Sequence, residues 1–300
     1  MPFHHPRWIR PRHPLAATPD ALRPARGRLA EVHFIALLDG ARIDGALERA
    51  REEIAREPIW NALEIDVRAR AIDGGRLDEV LAGRAGMTLS RLPEHERWEI
   101  DRCQWYASIA ATAADPPALD VLQAAIHVLA VLADEDDLLI ALDRATARWT
   151  SPAALLSLPP ERRFSLDEHV DVVAEAVERR PGAGHVVRSR GLPKLARPDV
   201  CARVPRRDAE RVSEIIRDLA RLLADGDTLL PGDRVSIPGL PPLTLIPRTD
   251  DALSDAPKDT APLYELRDLA TDGTIGPDCR SLLSTLHAAR APKPRLKVLK

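Results

Sequence analysis

Between Glu31 and Leu38, Val32, Phe34, Ala36 and Leu38 alternate with His33, Ile35 and Leu37, so both faces are largely apolar, as in a central strand. Ile43, Leu47, Ala50 and Ile54 then recur at helical spacing with Glu48, Arg51, Glu52 and Glu53 outside, and Pro58 closes the helix. Leu63, Ile65, Val67 and Ala69 alternate with Glu64, Asp66, Arg68 and Arg70, which predicts a strand with one wet face. Asp73-Gly74-Gly75 turns it, a short helix covers Arg76–Leu81, and a polar connection follows near Leu92–Arg97.

A second unit opens with Cys103, Trp105, Ala107, Ile109 and Ala111 alternating with Gln104, Tyr106, Ser108, Ala110 and Thr112. A buried helix follows over Ala118–Ala133, the acidic run Asp134–Asp137 turns the chain, and Leu138–Leu142 forms a short buried strand ending at Asp143. A third unit has a strand through Val170, Val172, Ala174 and Ala176, a turn at Pro181–Gly184 and a return through His185–Arg190. Val212, Ile215, Ile216, Leu219, Leu222 and Leu223 then trace one helical stripe, with Asp208 and Glu210 at its start and Gly226 past its end. Val235–Ile237 and Leu243–Ile246 read as an edge or bent strand pair split by prolines.

The fold class expected is α+β: repeated strand-helix-strand units on mixed or antiparallel sheets, with a short helical C-terminal extension. The organisation expected is a Pro/Arg-rich arm over 1–28, an α+β unit over 29–98 and a main α+β domain over 99–247. Residues 248–300 then supply a polar linker, short helices at Leu263–Ala270 and Asp278–Ala289, and a basic tail.

Composition narrows the function classes. A net charge of −3 argues against a protein that coats nucleic acid, which needs a basic face. Three separated cysteines without a C-x-x-C pair fit free thiols better than a disulfide or zinc framework. No apolar leader or membrane-length segment is visible, so the expected location is the cytoplasm. Cofactors and metals are not expected, for no G-x-G-x-x-G, P-loop or G-x-S-x-G motif is present.

The candidate chemistry concentrates in residues 185–207, where Arg188, Arg190, Lys194, Arg197, Arg203, Arg206 and Arg207 accompany one carboxylate, Asp199. Arg188 and Arg190 share a strand side, and Pro193 and Pro198 stiffen the loop carrying Lys194 and Arg197, so these cations could grip a phosphate or carboxylate. The alternative is pairing with Glu175, Glu178 and Asp199. Asp167, His169 and Asp171 at i, i+2 and i+4 would share a strand face, with His185 nearby in sequence. Trp149, beside Asp143 and Arg148, marks either a binding surface or a plug over the core.

Asp143-x-x-Thr146-x-Arg148-x-x-x-Pro152, His169, and Arg188-Ser189-Arg190-Gly191-Leu192-x-Lys194-x-x-x-Pro198-Asp199 before a long helix together resemble a bacterial family of uncharacterised proteins. That family carries a Thr-Arg-Gly-Leu-x-Lys-Phe-Gly-x-Pro-Asp run; here Ser189 replaces the Thr and Leu195-Ala196 the Phe-Gly. The resemblance covers about residues 100–247, implies an α+β fold and supplies no activity. The expectation is a binding or interaction protein whose exposed basic loop 188–207 meets an acidic protein partner or small anion, through Arg188, Arg190, Lys194, Arg197, His169, His185 and Trp149. The alternative is an enzyme for an anionic substrate, with Arg188, Arg190 and Lys194 as clamp and His169 or His185 as proton carrier.

Overall fold

The structure is a computed structural model that describes residues 29–40, 43–54, 61–82, 84–114, 118–135, 137–157, 166–176, 185–204, 206–224, 233–236, 243–248, 263–268 and 297–299. The expected arm 1–28, the linker 249–262, the turn at 181–184 and the helix at 278–289 lie outside them.

Alternating apolar strands build a first antiparallel sheet from β1 (Leu29–Leu38), β2 (Leu63–Ala69), β3 (Trp105–Ala114), β4 (Leu138–Asp143) and β5 (Arg148–Thr150), in the order β2-β3-β1-β4-β5. Register places Phe34 opposite both Ile109 and Asp143, and Ile109 opposite Ile65. These residues therefore share the inner face. Over it lies α5 (Ala118–Asp134), whose residues from Val121 to Ala133 are all buried, as an all-round apolar helix requires. His127 of α5 meets Glu53 of α1 (Ile43–Ile54) at 2.8 Å.

The outer face, with Ile35, Leu37, Tyr106, Ile140, Leu142 and Trp149, is covered by α2 (Arg70–Ala82), α3 (Arg84–Leu89) and α4 (Glu94–Arg102). The expected turn at Asp73 is instead a kink inside α2, where φ is −130° and ψ 30°. The polar stretch expected as a connection is largely α4, whose apolar side is little more than Ile100. β3 stands between β2 and β1, so this sheet joins residues on both sides of position 98.

A second sheet has the order β12-β9-β10-β11-β8-β7-β6, antiparallel except where β11 runs parallel to β8. Its strands are β6 (Asp171–Ala176), β7 (His185–Arg190), β8 (Asp199–Val204), β9 (Arg234–Ser236), β10 (Leu243–Arg248), β11 (Leu263–Asp268) and β12 (Lys297–Leu299). The protein is thus α+β with mixed and antiparallel sheets. The helix expected at Leu263–Ala270 is strand β11: Tyr264 and Leu266 point into the core and pairing with β10 and β8 decides the conformation. β12 occupies part of the expected basic tail.

The short helices α6 (Pro152–Ser157) and α7 (Leu166–His169) join the sheets. α8 (Ala209–Ala224) lays its predicted stripe of Val212, Ile215, Ile216, Leu219 and Leu223 on the second sheet. One hydrophobic core runs from the first sheet's inner face through α5 to α8 and the second sheet. Among the described residues no helix is long and apolar enough to cross a membrane.

Candidate functional site: a buried polar joint between the sheets

The basic segment lies where the two sheets meet, and it is inside the protein. Arg188 and Arg190 end β7, Lys194 sits in a 3-10 turn over Leu192–Leu195, and β8 begins at Asp199. Arg188 is 8 % exposed, Arg190 4 %, Lys194 0 % and Arg197 1 %. The expectation of an exposed loop is therefore corrected. Apolar residues at both edges pull the chain inward: Leu192, Leu195 and Val200 are fully buried, and the 3-10 turn packs on β1, α5 and α8.

Buried cations need partners, because desolvating a lone charge costs several kcal/mol or more. The partners come from distant parts of this chain. Lys194 Nζ donates to Asp143 Oδ2 at the end of β4, 51 residues earlier, and lies 5.9 Å from the centre of the Phe34 ring. The other oxygen of Asp143 accepts the Ala145 N–H at 2.9 Å, so the carboxylate also shapes the turn into β5. Arg190 pairs with Glu175 on the neighbouring strand β6, and Arg188 Nε lies 3.7 Å from the same carboxylate. Arg203 faces the buried Glu265 of β11 at 3.5 Å, and Arg207 faces Asp208 at 3.4 Å. Five of the seven cations thus meet four carboxylates of their own chain: Glu175, which the sequence offered as a partner, the adjoining Asp208, and the distant Asp143 and Glu265.

The turn itself is closed by a carboxylate. Asp199 Oδ1 accepts from the Ser189 hydroxyl at 3.0 Å and the Leu192 N–H at 3.3 Å, while Ser189 Oγ accepts the Val200 N–H at 2.8 Å. Burial pushes the Asp199 carboxyl up to about 6, against the downward pull of Ser189, Arg188, the Leu192 N–H and Arg190. The native state therefore holds this proton more tightly than the unfolded chain, and stability falls as pH rises from about 4 to about 6. Asp199→Asn, which keeps an acceptor for Leu192, is expected to flatten that fall. Denaturant unfolding from pH 4 to 7 checks it; an unchanged pH slope would contradict the assignment.

Gly191 sets the approach of the two sheets. Its φ is +102°, and a Cβ there would come within 2.0 Å of the His169 carbonyl oxygen and 2.9 Å of Thr146 Cγ2. Backbone of the second sheet thus touches both the β4–β5 turn and the end of α7.

The remaining sequence candidates do not converge on this point. Asp167, His169 and Asp171 do not share a strand face, for His169 closes α7 and β6 begins only at Asp171. No group of three or more metal-ligating His, Cys, Asp or Glu side chains forms among the described residues. His185 begins β7, at the other end from Arg190 and on the other face from Arg188. Trp149 lies opposite Leu142 on the first sheet's outer face, where its indole N–H donates to the Ala85 carbonyl at 3.2 Å and Thr88 Oγ1 at 3.1 Å. It is the plug over the core.

A pair that the sequence did not single out sits on the open end of the same outer face. His33 Nε2 is 2.9 Å from Ser108 Oγ, and Arg144 Nη1 is 3.2 Å from His33 Nδ1. Because a guanidinium only donates, Nδ1 accepts and Nε2 carries the proton that it gives to Ser108. Burial and then Arg144 lower the imidazole to about 4, with Asp143 opposing. Such a ring cannot take the Ser108 proton efficiently at neutral pH, so the pair is not an activated nucleophile.

No protein-family model, no curated protein and no solved structure matches the chain.

Proposed function

We propose that the protein is a binding protein that recognises a macromolecular partner through its surface. The observation that carries this reading is Trp98 on α4, 65 % exposed, accompanied on the same helical layer by Met87 of α3 (65 %) and Ile72 of α2 (88 %). Large apolar side chains displayed to water favour a contact that removes them from it, and tryptophan is a common interface anchor.

The buried joint supports the reading from the other side. An enzyme using Arg188, Arg190 and Lys194 as an anion clamp would first have to separate them from the half-buried Glu175 and from Asp143, stranding the latter in the interior. An acidic partner or small anion, as the composition of 188–207 suggests, would find its most open cations at the end of the segment. There Arg206 is exposed and the Arg207 side chain is 64 % exposed.

A photo-crosslinking residue placed at position 87 or 98, in cells of the source organism, tests the proposal against one placed at 206. A discrete macromolecular adduct at 87 or 98, lost when Ile72 is also changed to Ser, is the expected result. An adduct formed only at 206 would move the binding surface to the basic end, and no adduct at any of the positions would overturn the reading.

A further inference from the structure

We infer that the open edge of β2 is a self-association surface on which a second copy of this chain adds its own β2, antiparallel, making one continuous sheet of two five-stranded halves. Among the described residues β2 pairs only with β3, and its other edge faces away from the sheet. An open edge is a template for another strand, and proteins commonly guard it with charge. Here the charges have both signs. Glu64, Asp66 and Arg68 alternate along the outer face, with Glu64 and Asp66 exposed and the Arg68 side chain 32 % exposed; Arg68 bridges Asp66 at 2.6 Å and also Asp73 within its own chain, so a copy would share these charges across the axis.

A two-fold axis through Val67 sets Val67 against its copy, Ile65 against Ala69, and Asp66 against Arg68 in both directions. Directly opposed residues of opposite charge stabilise a strand pair, and like charges oppose it. Other registers are worse: centring on Ile65 opposes Glu64 to Asp66, centring on Asp66 opposes that residue to itself, and centring on Arg68 does the same for the arginine. The charge pattern therefore selects one register, five residues long, the length of an ordinary strand. Half-buried Ile65 and Val67 would gain cover on the inner face.

The other sheet ends do not offer this. β5 and β12 are three residues each, and the charges of β6, Asp171 and Glu175, are both acidic and already face Arg148 and Arg190 of the same chain, so β6 has no opposite charges of its own to set against a copy. The inference is independent of the partner assigned to Trp98.

Light scattering on the full chain during gel filtration over a concentration series tests it. The expected mass rises from 33.0 kDa towards twice that value. Asp66→Arg and Arg68→Asp are each expected to stay at the single-chain mass, because like charges then face each other across the axis. Mixing these two variants should restore a dimer, since the cations of one face the carboxylates of the other, and the double variant Asp66→Arg/Arg68→Asp should dimerise alone. Circular dichroism confirms that each variant is folded. Should a single variant fail to fold, the double variant decides. A wild-type mass that stays at one chain, single variants that dimerise like the wild type, or a double variant that stays monomeric would each overturn the inference.

Discussion

Lys194→Met is expected to cost the protein about 3–5 kcal/mol, a large share of the roughly 5–15 kcal/mol that holds a domain folded. Methionine matches the length and apolar stem of lysine, so little packing is lost around the 3-10 turn. What is lost is the charge that Lys194 presents to Asp143 Oδ2 in an interior where Lys194 is 0 % and Asp143 5 % exposed. The carboxylate then stays buried without the cation that faces it. Denaturant unfolding at pH 7 reads the change directly. A loss below about 1 kcal/mol, the range of solvent-screened pairs, would show that the joint is wetter than its burial implies.

Gly191→Ala is expected to be at least as damaging, at more than about 3 kcal/mol, through backbone strain and a clash together. Glycine alone holds a φ of +102° without strain, and the added methyl would sit 2.0 Å from the His169 carbonyl oxygen. That oxygen belongs to backbone and has no rotamer to escape into, so the sheets would have to separate locally. The same denaturation series checks this. A variant as stable as the parent would mean that the joint opens easily, and a cooperative link between the sheets would be lost with it.

Much of the fold was legible because its strongest elements repeat a single period. α8 follows from its apolar spacing, α5 and β4 from continuous apolar runs, and β1, β2 and β3 from alternation. The elements that escaped are those whose own pattern is short or masked by its neighbours. α4 buries only Ile100, and β11 and β8 are strands because their neighbours complete a sheet. In β8, Val200, Ala202 and Val204 do alternate with Cys201 and Arg203. The prolines and arginines on either side hid that signal within a stretch that reads as loop.

The site was half legible, for a physical reason. Residues 185–207 display seven cations beside one acid, and composition alone makes such a segment look like an anion grip. Glu175, one of the partners the sequence offered, does pair with Arg190, whereas Asp143 and Glu265 come from β4 and β11, and only the folded register brings them near. The resemblance pattern did contain Asp143, Thr146, Gly191 and Lys194, four residues that meet at the joint, though nothing in their spacing showed that two of them form an ion pair.

The most direct test of the joint is a double-mutant cycle on Lys194→Met and Asp143→Asn, the asparagine retaining an acceptor for the Ala145 N–H. Either change alone leaves a buried charge, whereas the pair leaves none. The coupling energy expected is about 2–3 kcal/mol, with the double variant more stable than the sum of the single losses allows. Strict additivity would contradict the account, for it would mean that the lysine and the aspartate do not hold each other inside the protein.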